Sequence, residues 1–468
     1  MFDTVRTARI TVEAETPLAL KPSKPLFGTG LEFEDFNGLP QAPGHAVAAA
    51  LAAAIEGCRE GVPGPGSNAP ELLAVFSRAP EKSAGEIKLS VSAAAPVESG
   101  DRVVEGISSG DRETSSVRRI LRTARREFHR AERRGKTPHA DRHEMELLRA
   151  GVRLKFELEL RGDASSLESD TAAWREILGA VASPFFRLGH GTGKGFGKLA
   201  PVSVEHKVYD LRAPEGFQDY LEKIPSLSAP LKNADRPVFN KRELPPGWAE
   251  YRLDLRPRDF YLFGSGRAGG DFDSAQLCEE KVIWSADGKP SLGRKDIVFP
   301  ASAVRGSLAA AVAARHNRIR GVFAEDTAPE ELARFSGSQN TAVRALFGFA
   351  DDEGRAFGTG NVIIGDVFIE RAPGPGQVFR RAASDRFSGA AVDGTGHAER
   401  LVSRKEETVL RILVREKVFS GDDGAGVREA FELALKDICG GLVPLGAGAA
   451  RGHGFFSGAL FKNSVEIK

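Results

Sequence analysis

Cysteine is scarce in this chain: Cys58, Cys278 and Cys439 are the three in 468 residues, far apart and in no CxxC or zinc-ligand spacing. That argues against a disulfide framework and a structural zinc and fits a reducing compartment, so a cytoplasmic location is expected. Long apolar runs are missing too. The longest are alanine-rich pieces such as AVAAALAAAI, well short of the roughly 20 residues that a bilayer-spanning helix needs. The opening MFDTVRTARI lacks the apolar stretch of a signal peptide, and no membrane partner is expected. Neither sign of charge prevails, since 65 Lys and Arg face 64 Asp and Glu for a formal net charge of +1.

Nucleotide-binding signatures are absent as well. LGHGTGKGFG, Leu188 to Gly197, contains Gly193-Lys194, but Gly195 follows where a P-loop needs Ser or Thr, and Leu188 stands where its leading glycine belongs. G-x-G-x-x-G fails there and in LGAGAARGHG, Leu445 to Gly454, and neither loop leads from a strand into a helix. An ATPase or dehydrogenase is thereby disfavoured.

What is present is a globular composition, 41% hydrophobic and 28% charged, in a chain long enough for two or three domains. Charge is sorted locally: Arg112 to Lys136 holds ten Lys or Arg and three Glu, either a solvated helix face or a polyanion-binding segment. The chain also repeats itself. The glycine loops begin at Leu188 and Leu445, an offset of 257 residues, and PGHAVAAALAAAI from Pro43 and PASAVRGSLAAAV from Pro300 share that offset with seven of thirteen positions identical. Two separate segments in one register indicate duplication.

Each copy opens with a period-2 strand, ARITVEAETPLAL or YRLDLRPRDFYLF. A helix follows the proline, with Val47, Leu51 and Ile55, or Val304, Leu308 and Val312, on one stripe. Middle strands come next, GEIKLSVSAA or NVIIGDVFIE, then VRLKFELEL or TVLRILVRE. A second helix carries Trp174, Ile177 and Val181, or Phe431, Ala434 and Ile438, before the glycine loop and a last strand. This order predicts an α+β protein of two ferredoxin-like, RRM-like modules in tandem, each an antiparallel sheet with helices on one face. The modules are expected at 1–206, with the arginine-rich insert at about 100–145, and at 249–468. Residues 207–248, with six prolines from Lys207 to Trp248, read as an irregular connector. Taken alone, each glycine loop is either a tight turn or a backbone cradle for phosphate carrying one cation, Lys194 or Arg451.

The motifs together resemble the RAMP superfamily of CRISPR-associated proteins, and most closely the backbone subunits of type III effector complexes. FPASAVRGSL resembles the family's I-P-G-S-S-L-K-G-x-L. ALFGF with GNVIIGDVFIE resembles its L-F-G and G-x-L-x-x-x-D-A pattern, and SDRFSGAA its I-D-R-x-T-G-x-A thumb stretch. With the second glycine loop the likeness spans nearly all of Tyr251 to Phe461. The first copy is more degenerate, with His45 and Ala48 where serine and lysine are usual and the arginine-rich insert in place of a thumb; its glycine loop is the better preserved.

The resemblance implies that both halves bind RNA backbone, with guide RNA, target RNA, neighbouring RAMP subunits and a large signalling subunit as partners. It places Ser302, Arg305 and Arg451 on guide phosphates, with Lys194, Lys198, His190, His45, His453, Arg386, Arg118 and Arg122 as further RNA contacts. It also makes Asp273, in GSGRAGGDFDSAQLCEE from 264 to 280, the counterpart of the family's target-cleaving aspartate, with Asp271 two residues away and Mg²⁺ or another divalent cation as cofactor. Without the family, both are loop aspartates in an Asx-turn setting. The first copy has Gly28 at the matching place, with Glu32, Glu34 and Asp35 nearby, and is expected not to cut. A non-catalytic architectural subunit is one alternative. A stand-alone guide-processing endoribonuclease using a histidine such as His45 is the other.

Overall fold

The computed structural model describes residues 2–20, 34–35, 37–59, 89–106, 116–121, 124–129, 142–163, 167–238, 244–265, 273–328, 331–350, 357–370, 377–403 and 407–467. Gly28, Glu32, Arg122, Asp271 and parts of the arginine-rich insert lie outside them, as does the side chain of Arg118.

The N-terminal half builds β1 (Thr4–Ala14), α1 (Gly44–Arg59), β2 (Leu89–Val91), β3 (Arg153–Gly162), α2 (Leu167–Val181) and β4 (Leu199–Asp210). The C-terminal half builds β5 (Trp248–Pro257), α3 (Ala301–Ile319), β6 (Val362–Ile364), β7 (Thr408–Arg415), α4 (Gly424–Cys439) and β8 (Phe456–Lys462). Both sheets are antiparallel through these strands, in the orders β2-β3-β1-β4 and β6-β7-β5-β8. In each half the opening strand therefore lies between the third strand and the last.

The helical stripes read from the sequence are the buried ones. Val47, Leu51 and Ile55 join Trp174, Ile177 and Val181 over Ile10, Val12, Phe156 and Leu158. Val304, Leu308 and Val312 join Phe431, Ala434 and Ile438 over Leu253, Leu255, Leu410 and Ile412. Each such aliphatic side chain contributes about 1.5–3 kcal/mol on burial, so the two cores hold most of the driving force for folding.

The halves also clasp each other. At the start of β5, Trp248 reaches back: its indole Nε1 donates to Gly57 O at 2.9 Å and its ring packs on Phe185, centroids 4.4 Å apart. A hairpin of Cys278–Trp284 and Pro290–Phe299 crosses the other way, with Val282 N donating to Ala150 O at 2.8 Å and Trp284 Nε1 to Gly151 O at 2.7 Å. Gly151 has φ +84, and a Cβ there would overlap the Val282 carbonyl, so this crossing depends on glycine.

Two segments differ from expectation. Residues 207–248 are not wholly irregular: Pro214 opens the helix Pro214–Leu221, where a missing N–H costs nothing. The segment then covers the outer face of the first sheet. There the buried Arg9 donates to Glu157 at 2.8 Å and to the carbonyls of Ile224 and Ala229, while Lys223 bridges Glu157 at 2.8 Å and Glu159 at 3.0 Å. NVIIGDVFIE, read as one strand, splits at Gly365-Asp366. Val362–Ile364 joins the second sheet and Val367–Ile369 joins the crossing hairpin, because Asp366 turns inward to accept from Ala301 N at 2.8 Å.

Candidate nucleic-acid interface

The two glycine loops have the same backbone. Gly189, Gly191, Gly195 and Gly197 have φ of 88, 71, 100 and 80°, and Gly446, Gly448, Gly452 and Gly454 have 93, 83, 84 and 80°. Each loop carries one 3-10 turn ending in its cation, Thr192–Lys194 or Ala449–Arg451. Each is closed by a backbone bond at its base, Leu188 N to Gly197 O at 2.9 Å or Leu445 N to Gly454 O at 2.8 Å. At Gly197 and Gly454 a Cβ would overlap the carbonyl of Leu188 or Leu445, so the closing glycine is sterically required in both copies.

The loops meet different partners. The first docks on the start of α3: a Cβ on Gly195 would overlap Ala301, and Arg305 Nη1 donates to Gly193 O at 3.0 Å while its Nη2 donates to Phe347 O. Burial holds the Arg305 guanidinium below its ordinary value. Arg305 thus ties the two halves together through carbonyls. Ser302, partly exposed, lies one turn before it on the same helix.

Beneath this contact lies a buried ion network. Arg126, from the hairpin Ala124–His129/Arg142–Leu147 in the arginine-rich insert, donates to both oxygens of Glu279 at 2.8 Å and to Asp366 Oδ2 at 2.6 Å. Its guanidinium lies 5.1 Å from the ring centroid of Phe196 in the first glycine loop. Lys194 reaches Met145 Sδ at 4.0 Å on the same hairpin, and burial pushes its ammonium down. One structure thereby joins insert, loop and second-half helix.

The second glycine loop docks on the hairpin Gln377–Arg381/His397–Ser403. Arg451 pairs with the buried Glu399, and His453 Nε2 lies 3.1 Å from Arg381 Nη2, with its ring beside those of Phe260 and Phe379. Burial, then Arg381 and Arg451, push His453 down from its ordinary value, so near neutral pH it is an uncharged acceptor. The same hairpin holds the candidate acid. Asp273 N donates to Ala398 O at 2.9 Å, Ala398 N donates to Asp273 Oδ2 at 2.7 Å, and Ser274–Ala275 pairs in parallel with Glu399 and Arg400. His397 bridges Asp273 Oδ2 at 3.5 Å and Glu399 Oε1 at 3.3 Å. A continuous path of polar contacts therefore runs from Asp273 through His397 and Glu399 to Arg451.

At the hairpin's far end, Asp385 Oδ1 accepts from the N–H groups of Phe387 at 3.0 Å and Ser388 at 2.7 Å, fixing a turn on which Phe387 is 97% exposed beside the exposed Arg386. Neither Phe387, within SDRFSGAA, nor His397 stands out individually in the sequence. An aromatic in a turn otherwise built of small and polar residues was the available signal for the first; the second lies in a featureless strand.

The remaining expected contacts scatter. His45 is exposed on the first turn of α1, His190 is pushed down by burial, and Lys198 pairs with Glu15 at the base of the first loop. Asp35 is committed to a turn, its Oδ1 accepting from Asn37 N and Leu39 N at 2.8 Å. Among the described residues no group of three or more His, Cys, Asp and Glu side chains could hold a metal ion, and no helix is long and apolar enough to cross a membrane. Asp273 brings one half-exposed carboxylate, which fits a Mg²⁺ ion only of the kind that completes its shell with phosphate oxygens and water.

Residues 286–457 match the family model of the RAMP superfamily, and this part of the chain is a RAMP superfamily domain. It contains α3, the hairpin with Phe387, Arg451 and His453; Asp273 lies just before it. Membership of that superfamily implies RNA binding in a CRISPR-associated setting. None of the curated proteins compared with the chain matches it.

Proposed function

We propose that this chain is a guide-RNA-holding backbone subunit of a type III CRISPR ribonucleoprotein, built from two modules of one kind, and that it cleaves target RNA beside Asp273. The duplicated strand order and the shared backbone of the two glycine loops support the tandem reading. A glycine backbone that lets a strand approach closely and one cation per loop suit sugar–phosphate contacts that ignore sequence, as a protein presenting interchangeable guides requires. Guide RNA, target RNA, neighbouring RAMP subunits and a large signalling subunit are the partners this reading assigns.

The observation that carries the cleavage reading is the stitching of Asp273 to Ala398, on the hairpin whose turn presents Phe387. An exposed aromatic at the tip wedges between stacked bases and displaces a nucleotide. The displaced ribose can then align its 2′-hydroxyl with the adjacent phosphate. O2′ attacks phosphorus as its proton passes to Asp273, and the P–O5′ bond breaks. O5′ leaves with a proton from water, and a 2′,3′-cyclic phosphate remains. A bound Mg²⁺, held by Asp273 and RNA oxygens, would supply charge stabilisation at the phosphate. His397 braces the carboxylate against Glu399.

A second reading, an architectural subunit without cleavage, is favoured because, among the described residues, no group of three or more His, Cys, Asp and Glu side chains that could hold a metal ion includes Asp273. Cleavage of guide-complementary RNA by the complex purified from its host separates the two: Asp273→Ala abolishes cutting under the first reading, and the second has no cutting to lose.

A further inference from the structure

Where the halves meet, a cleft of about 620 Å³ opens between the base of the first glycine loop and the second sheet. This lies within the ~300–1,000 Å³ of small-ligand sites, which favour such junctions. Its wall includes Thr16, Ser183, Arg187, Lys198 and Arg411. Its carboxylates are already paired: Glu15 with Lys198, Glu250 with Arg411, and Asp366 with Arg126.

The donors are in surplus. Arg187 has five N–H groups, and among the described residues its one acceptor is Phe196 O at 3.3 Å, while Nε has none. Ser183 Oγ is buried without a partner among the same residues. Thr16 Oγ1 accepts from Lys198 N at 3.0 Å, a bond that does not use its own O–H. Burial pushes the Arg187 guanidinium down to about 10, and Asp366 and Glu15 offset this only in part. A guanidinium whose Nε is buried and unmatched is costly unless an acceptor completes it. The second half has no counterpart, because the 257-residue offset puts Pro444 and Phe455 at the places of Arg187 and Lys198.

We propose that this cleft binds a phosphate group, received by the Arg187 guanidinium and the Ser183 and Thr16 hydroxyls, and carried by either a small phosphorylated ligand or the end of an RNA strand. A tetrahedral oxyanion offers acceptors in several directions at once, as a planar fork and two hydroxyls on separate segments demand. The site is independent of cleavage at Asp273.

The test is calorimetric titration and thermal melting of the full chain with inorganic phosphate, AMP, and one short RNA bearing either a 5′-phosphate or a 5′-hydroxyl. Saturable binding that raises Tm with ligand concentration is expected. Arg187→Met should weaken it by about tenfold or more and Ser183→Ala by less, as lost charged and neutral hydrogen bonds do. Without ligand, Arg187→Met should melt no lower than the natural chain, since it removes an under-paired buried charge. Equal binding of AMP and phosphate with no preference between the two RNAs identifies a small ligand; a preference for the 5′-phosphorylated RNA identifies a strand end. If no probe saturates, or if both variants bind as the natural chain does, the proposal is wrong. Should Arg187→Met not fold, Ser183→Ala decides.

Discussion

Asp273 and His397 stand 3.5 Å apart, carboxylate Oδ2 to imidazole Nδ1, and the other imidazole nitrogen lies 3.3 Å from the buried Glu399. The candidate aspartate is thus held by a residue of the hairpin that carries Phe387, so in the proposed function the wedge and the carboxylate share one base. His397→Gln keeps one amide contact and should cut more slowly than the natural chain. His397→Ala should cut more slowly still, with guide content unchanged in both. A rate equal in all three chains would remove His397 from the account.

Phe387 should be dispensable for folding and needed for target handling. At 97% exposure it has no core contacts to lose, so Phe387→Ala should leave stability within about 0.5 kcal/mol. Base–aromatic stacking is worth about 1–3 kcal/mol, so cleavage of guide-bound target should fall by about tenfold or more. Thermal melting and single-turnover cleavage of the same preparation check both halves of this statement.

The closing glycines should be intolerant of any side chain. Gly197→Ala and Gly454→Ala each force a Cβ onto a carbonyl at φ +80°. Each should cost more than about 1 kcal/mol, with weaker binding of single-stranded RNA. Gly452→Ala is a useful contrast, with the same sign of φ, at +84°, but open space around the new methyl, so it should cost less than Gly454→Ala in denaturant unfolding.

The Arg126 network should be the strongest single tie between insert and C-terminal half. Arg126→Ala leaves Glu279 and Asp366 buried without their cation, a loss of about 3–5 kcal/mol in urea unfolding. Breaking it should also loosen the first glycine loop through Phe196, measurable as faster amide exchange of residues 191–197.

Acid should loosen the segment over the first sheet. Burial alone would raise the Glu159 carboxyl, but hydrogen bonds and charge from Lys223 and Arg161 outweigh it and hold the group below its ordinary value. The unfolded chain therefore takes up this proton more readily than the folded one. The stability Glu159 contributes is full above the ordinary carboxylate range and is lost as pH falls through the folded value. Glu159→Gln should flatten the pH dependence of stability on the acid side; an unchanged slope would count against this pairing.

Much of the fold could be read from local pattern. Period-2 and period-3.6 stripes placed Ile10, Leu51, Leu253 and Leu308 in cores because burial of one face is a local property of the chain. The paired glycines announced a repeated loop because only left-handed backbone demands them at fixed spacing. Contacts between distant segments left no such trace. Nothing around Trp284 says that it will bond Gly151, and Arg126 is one of ten cations in a run until it is found between Glu279 and Asp366. Asp366 looked like an interior strand residue because its neighbours Ile364 and Val367 are β-formers; its bond to Ala301 N breaks the strand there. His397 was hidden for a related reason, since its partners lie 124 residues upstream and on its own strand.

The most direct test is cleavage by the host-purified complex carrying Asp273→Asn, a near-isosteric change that keeps an oxygen for the Ala398 N–H. Guide RNA of uniform length and unchanged target affinity, together with loss of the cuts made beside this subunit, is the predicted result. Cuts that persist at the same positions and rates, or a complex that carries no guide at all, would contradict it.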